Sequence, residues 1–263
     1  MQVPIEEIIK KSLGSGFDSE LKVASSLVSS GWAATQNIYY IDKDERKGRE
    51  LDIVAHRAFS DYSLTPKINM WIYLCIEVKK SKEPEIFFSN YAGRFEPGRA
   101  YGLLHWKHRI NNSILHWKEI EECKPLGDQK RIARSYMSFK DQGTQKLKSG
   151  ILSAFKGAIY MAENCEERYD ESSHDLCFFM PLVVIDGSIA ECYFDKLDGN
   201  LIGRYVDNIA YAQNYRSESY GEVRGNVIVT NIINLSNLLG KFEVWGRSML
   251  TSMVARHGQF ESR

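Results

Sequence analysis

The sequence predicts an α/β protein: a β-sheet with helices on its faces and an insertion in mid-chain. Three observations carry that expectation. A helical pattern at residues 17–31 is followed by three strand patterns in succession, ending at residue 80. The stretch "YLCIEVKKSK" (73–82) is apolar enough to be an interior strand, yet it holds Glu77 and Lys79. A long helical segment spaced by glycines, 139–165, then leads into a second apolar run at 176–194.

Taken in order, "PIEEIIKKSL" (4–13) reads as a short amphipathic helix opened by Pro4. "SGFDSELKVASSLVSSGW" follows as a second helix, with Asp18 or Ser19 as N-cap and Gly31 as its stop. Val23, Ala24, Leu27 and Val28 form its apolar stripe, and Glu20 precedes them by three, four, seven and eight residues, on the same face. A glutamate there is ordinarily a first-turn residue stabilised by the helix dipole. The acids downstream give it a second reading.

"WAATQNIYYI" (32–41) and "RELDIVAHR" (49–57) read as two strands of a hairpin across the charged turn "DKDERKG". Alternation puts Leu51, Ile53 and Ala55 on one face, with Glu50, Asp52 and Val54 on the other. A loop containing Pro66 leads to the strand "WIYLCIEVKK" (71–80). There Ile72, Leu74, Ile76 and Val78 point one way, and Tyr73, Cys75, Glu77 and Lys79 the other. An isolated charge in such a strand costs several kcal/mol unless it is paired or binds a metal.

Residues 85–138 break this regularity and read as an insertion. From Arg94 to Arg134 nine basic residues face five acids, interleaved with Trp, Tyr, Phe and His. That mixture suits phosphate pairing and base stacking, or else packing against a second copy. In the helix 139–165, Gly143, Gly150 and Gly157 leave a low ridge that can lie close on a sheet. Strands follow on both sides of Asp186–Gly187 and within 221–235, and a helix at 236–257 closes the chain.

Composition bounds the rest. A chain of 263 residues buries a sizeable core. Its 34 basic and 34 acidic residues balance, so attraction to nucleic acid has to come from a local patch. The five cysteines form no CxxC pair, which leaves neither a zinc knuckle nor a disulfide framework. With no signal-peptide pattern and no membrane-length apolar run, the expectation is a reduced, cytoplasmic protein without membrane contact. The "GSG" at 14–16 does not follow a strand, and His105, His108 and His116 lack the cysteine or acid that would complete a zinc site.

Two carboxylates on neighbouring strands, with a lysine two residues after the second, supply what metal-assisted phosphodiester cleavage requires. Mg²⁺ takes oxygen ligands: Asp52 and Glu77 offer carboxylates, Val78 a backbone carbonyl, and Glu20 a fourth oxygen, directly or through water. Lys79, on the face of Glu77, is placed to hold or deprotonate the attacking water and to stabilise the transition state; burial beside a metal would lower its pKa.

The pattern Glu20 … Asp52 … Glu77-Val78-Lys79, with "RELDIVA" on one strand and "CIEVKKSK" on the next, resembles the PD-(D/E)XK nuclease superfamily. The resemblance covers about residues 17–82. It departs from the pattern at Leu51, where the family motif has proline, and in the long insertion. It implies a restriction-endonuclease-like central mixed sheet flanked by helices, a Mg²⁺ (or Mn²⁺) site, and an endonuclease acting on DNA. Restriction, phage defence, mobile-element processing and repair are all open settings, alone or as a subunit of a larger assembly. The resemblance also implies a polar residue near the metal from the following helix, with Gln145 and Lys148 as candidates. A catalytically idle module that keeps the fold for nucleic-acid binding or assembly is the alternative.

Overall fold

The computed structural model describes residues 3–13, 16–63, 67–91, 104–108, 131–139, 141–165 and 174–261. Helix α1 (Ile5–Ser12) carries no buried residue, whereas α2 (Phe17–Ser29) buries Val23 and Leu27. The N-cap of α2 is Gly16, at φ 95°, rather than Asp18 or Ser19. Ser19 is buried instead and donates to the Asp186 carboxylate at 2.5 Å. The helix stops where its sequence says: Gly31 takes φ 78°, and the amides of Gly31 and Trp32 bond back to Val28 and Leu27.

The three front strands are β1 (Ala33–Asp42), β2 (Lys47–Asp61) and β3 (Ile68–Lys80), each antiparallel to the next. From the middle of the chain come β4 (Glu85–Tyr91), β5 (Leu104–His108) and β6 (Arg131–Ser138). Helix α3 (Asp141–Glu163) crosses over to β7 (His174–Asp186), which runs parallel to β3 along its whole length. Then follow β8 (Ile189–Phe194), β9 (Leu201–Val206), β10 (Asn208–Ser217), β11 (Gly221–Asn231) and helix α4 (Leu235–Glu261). All belong to one mixed sheet in the order β1-β2-β3-β7-β11-β10-β6-β4-β8-β9, with β5 alongside β7. The expected α/β class, a mixed sheet flanked by helices, is what the chain builds.

Segment 85–138 contributes strands to that sheet: β4 pairs with β6 and β8, and β6 with β10. Residues 92–103 and 109–130, with His116 among them, lie outside the described residues. Arg131 donates through Nε and a terminal nitrogen to Glu191, 2.9 Å each, and lies over the Tyr193 ring. Its guanidinium is thus engaged in an ion pair within the sheet.

Asp186–Gly187 does not make a hairpin, because β7 and β8 do not pair with each other. They are two legs of one bent chain that runs beside β3 and β4. The Ser81 amide bonds to the Asp186 carbonyl and the Glu85 amide to that of Ser188, so the parallel pair turns the corner intact. Gly187 is required there by proximity: a Cβ would come within 2.4 Å of the Ser81 carbonyl oxygen.

Helices α2 and α4 cover one face of β1-β2-β3-β7 and bury Ile53, Ile72, Leu74, Ile76 and Val78. Gly246 lets α4 approach, since a Cβ would meet the Phe59 ring at 2.4 Å. Helix α3 covers the other face, against Leu51, Val54, Tyr73 and Cys75, and continues onto Phe87, Val183, Ile209 and Val229 in the bent half of the sheet. The glycine ridge acts as expected. A Cβ on Gly157 would lie 2.5 Å from Leu51 Cδ1, and one on Gly150 2.7 Å from Lys79 Cε; the surroundings of Gly143 lie outside the described residues. Among the described residues no helix is long and apolar enough to cross a membrane.

Lys156, buried on α3, ties the sheet halves together. It bonds to Asp42 at 2.9 and 3.0 Å and to Asp44 at 2.9 Å, while Tyr215 donates to Asp44. Burial opposes the charge of Lys156, yet Tyr215, Asp42 and Asp44 hold its ammonium above the usual lysine range. Burial raises the Asp44 carboxyl, but Ser217, Tyr215 and Lys156 together outweigh it and draw it down to about 2. A carboxylate with a depressed folded-state pKa stabilises the fold above its unfolded-state value and loses that contribution in acid. Asp44→Asn is therefore expected to melt below the wild type at pH 7. The gap should close as pH falls from about 4 to about 2, a window that thermal melts across a pH series would reveal. A gap independent of pH would remove ionisation from the account.

Candidate active site

Glu77 and Lys79 lie on the α3 face of β3, as alternation dictates, while Val78 joins the opposite core. Lys79 Nζ is 2.6 Å from Glu77 Oε2 and 3.5 Å from Asp52 Oδ2. Glu77 is only 5% exposed. Burial pushes its carboxyl up, Lys79 pulls it back in part, Asp52 adds to the rise, and the result is about 7.

Asp52 reaches this pair through a break in β2 that strict alternation does not contain. Regular pairing of β2 with β3 begins only at Ile53–Ile76, and Ile53 faces the α2–α4 core. Leu51 should share that face; it packs against Gly157 in the α3 core instead. Opposite Asp52 in β1 stands Asn37, skipped by the pairing and held at φ 56°. Asparagine is among the few side chains that enter this left-handed region readily. With the ladder interrupted, the Asp52 carboxylate takes the place of a β2 carbonyl and accepts the Val78 amide at 2.7 Å.

Glu20, half-buried on α2, completes the group. Burial and then Asp52 raise its carboxyl, Lys79 opposes them, and Glu50 adds a further push. Asp52 thus acts on both Glu20 and Glu77, and Lys79 opposes the rise of each. The lowering expected of Lys79 belongs to the metal-bound site. Burial does work against its charge, but Glu77 and Asp52 outweigh burial and hold the ammonium above its ordinary value.

From α3 the residues that meet the site are Gly150, against the Lys79 stem, and Ser153. The Ser153 hydroxyl lies 3.3 Å from the Tyr40 hydroxyl and close enough to Glu77 to oppose the rise of its carboxyl. Gln145 and Lys148, the candidates from this helix, are exposed. Nothing in the local sequence singles out Ser153, though the ridge through Gly150 marks the part of the helix on which it lies.

In this arrangement Lys79 lies between the carboxylates, and one Asp52 oxygen is engaged by the Val78 amide. No three His, Cys, Asp or Glu side chains among the described residues are drawn together as a ready-made cation site. The donors are nonetheless the hard oxygens that Mg²⁺ prefers, and the carboxyls of Glu20 and Glu77 are raised first by burial and then by the Asp52 charge, which a divalent ion would offset.

Alternation also separates two adjacent lysines. Lys80 points away from the site and donates to the Leu13 carbonyl at 2.9 Å and to Asp18 at 2.9 and 3.1 Å. Lys80→Ala should lower the melting temperature only slightly, as loss of an exposed pair does, and leave the Asp52–Glu77–Lys79 group undisturbed. If the group carries the metal-dependent cleavage expected from the sequence, Lys79→Ala should reduce its rate at least about 100-fold, the usual scale for one preorganised electrostatic partner, and Lys80→Ala should not. Equal losses of rate would show that the strand face has been misassigned.

No protein-family model matches the chain, and neither a curated protein nor a solved structure matches it.

Proposed function

We propose that the chain is a metal-dependent nuclease that hydrolyses phosphodiester bonds, with DNA as substrate. The observation that carries this reading is Lys79 between Asp52 and Glu77, at 3.5 and 2.6 Å, where β2 parts from β3 and Glu20 approaches from the opposite layer. Three acids against one base leave a charge deficit in a largely water-excluded place. Such a deficit costs stability and is ordinary where a cation binds. The order of α2, three antiparallel strands, α3 and a strand parallel to the third supports the resemblance to PD-(D/E)XK nucleases that Glu20, Asp52, Glu77 and Lys79 carry.

Asp52 and Glu77 would hold Mg²⁺ or Mn²⁺, with the Val78 carbonyl and Glu20 as further oxygen donors. When bound, the ion supplies Lewis-acid neutralisation of the phosphate and a more acidic water. The Val78 amide fixes the Asp52 carboxylate, so this donor is preorganised by the backbone. Lys79, between Glu77 and Asp52, is placed to stabilise charge on the non-bridging phosphate oxygens and to hold or deprotonate the attacking water.

One observation favours a second reading. Lys79 already closes on both carboxylates, as it would in an idle module that keeps the fold for binding or assembly. Plasmid and single-stranded DNA incubated with the purified chain and Mg²⁺, Mn²⁺ or EDTA separates the two. Cleavage that requires the metal and vanishes in Lys79→Ala supports the nuclease. Binding without cleavage under every metal condition supports the module.

A further inference from the structure

The β1–β2 hairpin changes faces partway along its length. Before Asn37, Ala34 of β1 packs against the core under α2 and α4. After it, Ile38 and Tyr40 enter the core under α3, although alternation assigns all three to one face. Strand β2 does the same about Asp52: Ile53 and Ala55 belong to the first core and Leu51 to the second. Both strands therefore turn over at one rung, where Asn37 stands opposite Asp52 and the ladder leaves the two unpaired. Gln36 still faces Ile53 and Ile38 still faces Leu51, so no residue has been inserted. The change is a rotation of the hairpin about its own axis.

Beyond the rung the hairpin is one piece. Residues Ile38 to Asp42 pair without a break with Leu51 to Lys47, so a rotation at the tip is a rotation at Asp52. The tip is held from outside the hairpin. Lys156 of α3 bonds to Asp42 and Asp44, and it lies over the rings of Tyr215 and Tyr220, 4.7 and 5.2 Å from their centroids. The Lys43 amide donates to the Tyr220 hydroxyl at 3.1 Å. Asp42 and Lys156 are both buried. Apolar side chains of the same volume would stabilise such a contact as well. An ammonium set between two carboxylates adds a fixed direction for the tip.

We propose that Lys156 is a positioning residue for Asp52: by anchoring the hairpin tip on α3 it keeps the Asn37–Asp52 rung turned over, and the rung keeps the Asp52 carboxylate on the Val78 amide. Asn37 supplies the backbone for the turn, at φ 56°. The role rests on the hydrolytic function proposed for the carboxylate site, but the geometry it asserts is measurable without cleavage.

Amide hydrogen exchange of the full chain, resolved by NMR, measures that geometry at Val78, which donates to Asp52. Leu74, in the regular part of the β2–β3 ladder, is the reference. Lys156→Ala with Asp42→Asn and Asp44→Asn removes the anchor without leaving a buried charge unpaired. The Val78 amide should then exchange at least about tenfold faster relative to Leu74, because a local opening frees one and not the other. Asn37→Val, at an exposed position, should give the same selective loss, since a β-branched side chain resists left-handed backbone. Glycine enters that region freely, so Asn37→Gly should stay within about twofold of the wild type. Asn37→Val combined with the anchor changes should go little beyond the larger single effect, as for two supports of one group. Cleavage should fall in the anchorless and Asn37→Val chains and persist in Asn37→Gly. Unchanged Val78 protection in the anchorless chain overturns the proposal. So does equal loss at Leu74 and Val78, which a merely structural clasp would give, or an Asn37→Gly chain that behaves like Asn37→Val. A wild type that cleaves nothing while the exchange pattern holds supports the positioning of Asp52 and overturns the nuclease function instead.

Discussion

Glu77→Gln is expected to abolish metal-dependent cleavage of DNA while leaving the chain folded and, above neutral pH, more stable than the wild type. Loss of one carboxylate donor removes several kcal/mol of charge stabilisation at the phosphate, so a fall of at least about 10³-fold in rate is expected. The stability forecast follows from linkage. The Glu77 carboxyl is raised from 4.5 to about 7, first by burial and then by Asp52, with Lys79 opposing. Between those values the folded chain holds a proton that the unfolded chain has released, so stability falls as pH rises through the window. A glutamine does not titrate, and it can still accept from Lys79. The variant should match the wild type near pH 4.5 and exceed it at pH 8, on the order of 1–3 kcal/mol. Asp52→Asn is the companion, because asparagine keeps an acceptor for the Val78 amide. Asp52→Ala leaves that amide without its partner and should cost a further ~1–3 kcal/mol of stability. Rates measured with Mg²⁺, beside melts at both pH values, separate these effects. Cleavage within tenfold of wild type in both Glu77→Gln and Asp52→Asn would sink the site.

The second large effect comes from two glycines one heptad apart on the same helix. At Gly157 an added Cβ would meet three atoms of Leu51 between 2.5 and 2.9 Å, and Leu51 is fully buried. Gly157→Val should therefore cost about 3 kcal/mol or more, because overpacking there cannot relax into solvent. At Gly150 the added atom meets the Lys79 stem, at 2.7 Å from Cε and 3.3 Å from Cγ. That side chain is flexible and can move. Gly150→Ala should keep the fold, helped by up to ~1 kcal/mol of helix propensity. Its displaced ammonium should lower the cleavage rate by about 10–100-fold, since a misplacement near 1 Å is enough. In a Lys79→Ala background Gly150→Ala should have almost no further effect on rate, because both changes act on one group. Additive losses would show that Gly150 acts elsewhere than through Lys79.

The face assignment of β3 was legible in the chain itself. Ile72, Leu74, Ile76 and Val78 line one core, while Tyr73, Cys75 and Glu77 line the other. A strand's period of two is a local property, so ten residues suffice to read it. The same holds for the Gly31 stop of α2 and for the small-residue ridge of α3, each set by the residue itself. Strands β9 and β10 were not legible, because β9 is mostly exposed and β10 mixes polar residues among its buried ones, so neither carries a sustained apolar alternation. The hairpin expected at Asp186–Gly187 failed for a different reason: a turn signal reports a bend and leaves open which strands pair beyond it.

The candidate site divides along the same line. Its residue types and spacing, Asp52 and then Glu77-Val78-Lys79 with Glu20 ahead of them, are written in the sequence and determine what chemistry the group can support. Which atoms meet was decided only by tertiary structure. Leu51 leaves its expected face because Gly157, far along the chain, opens a space that fits it. That departure, with Asn37 in left-handed backbone, interrupts the ladder and delivers Asp52 to the Val78 amide and to Lys79. Alternation is enforced only while neighbouring strands exchange regular hydrogen bonds. Where packing across the sheet outweighs one such pair, the side chain follows the space available, and no local pattern records it.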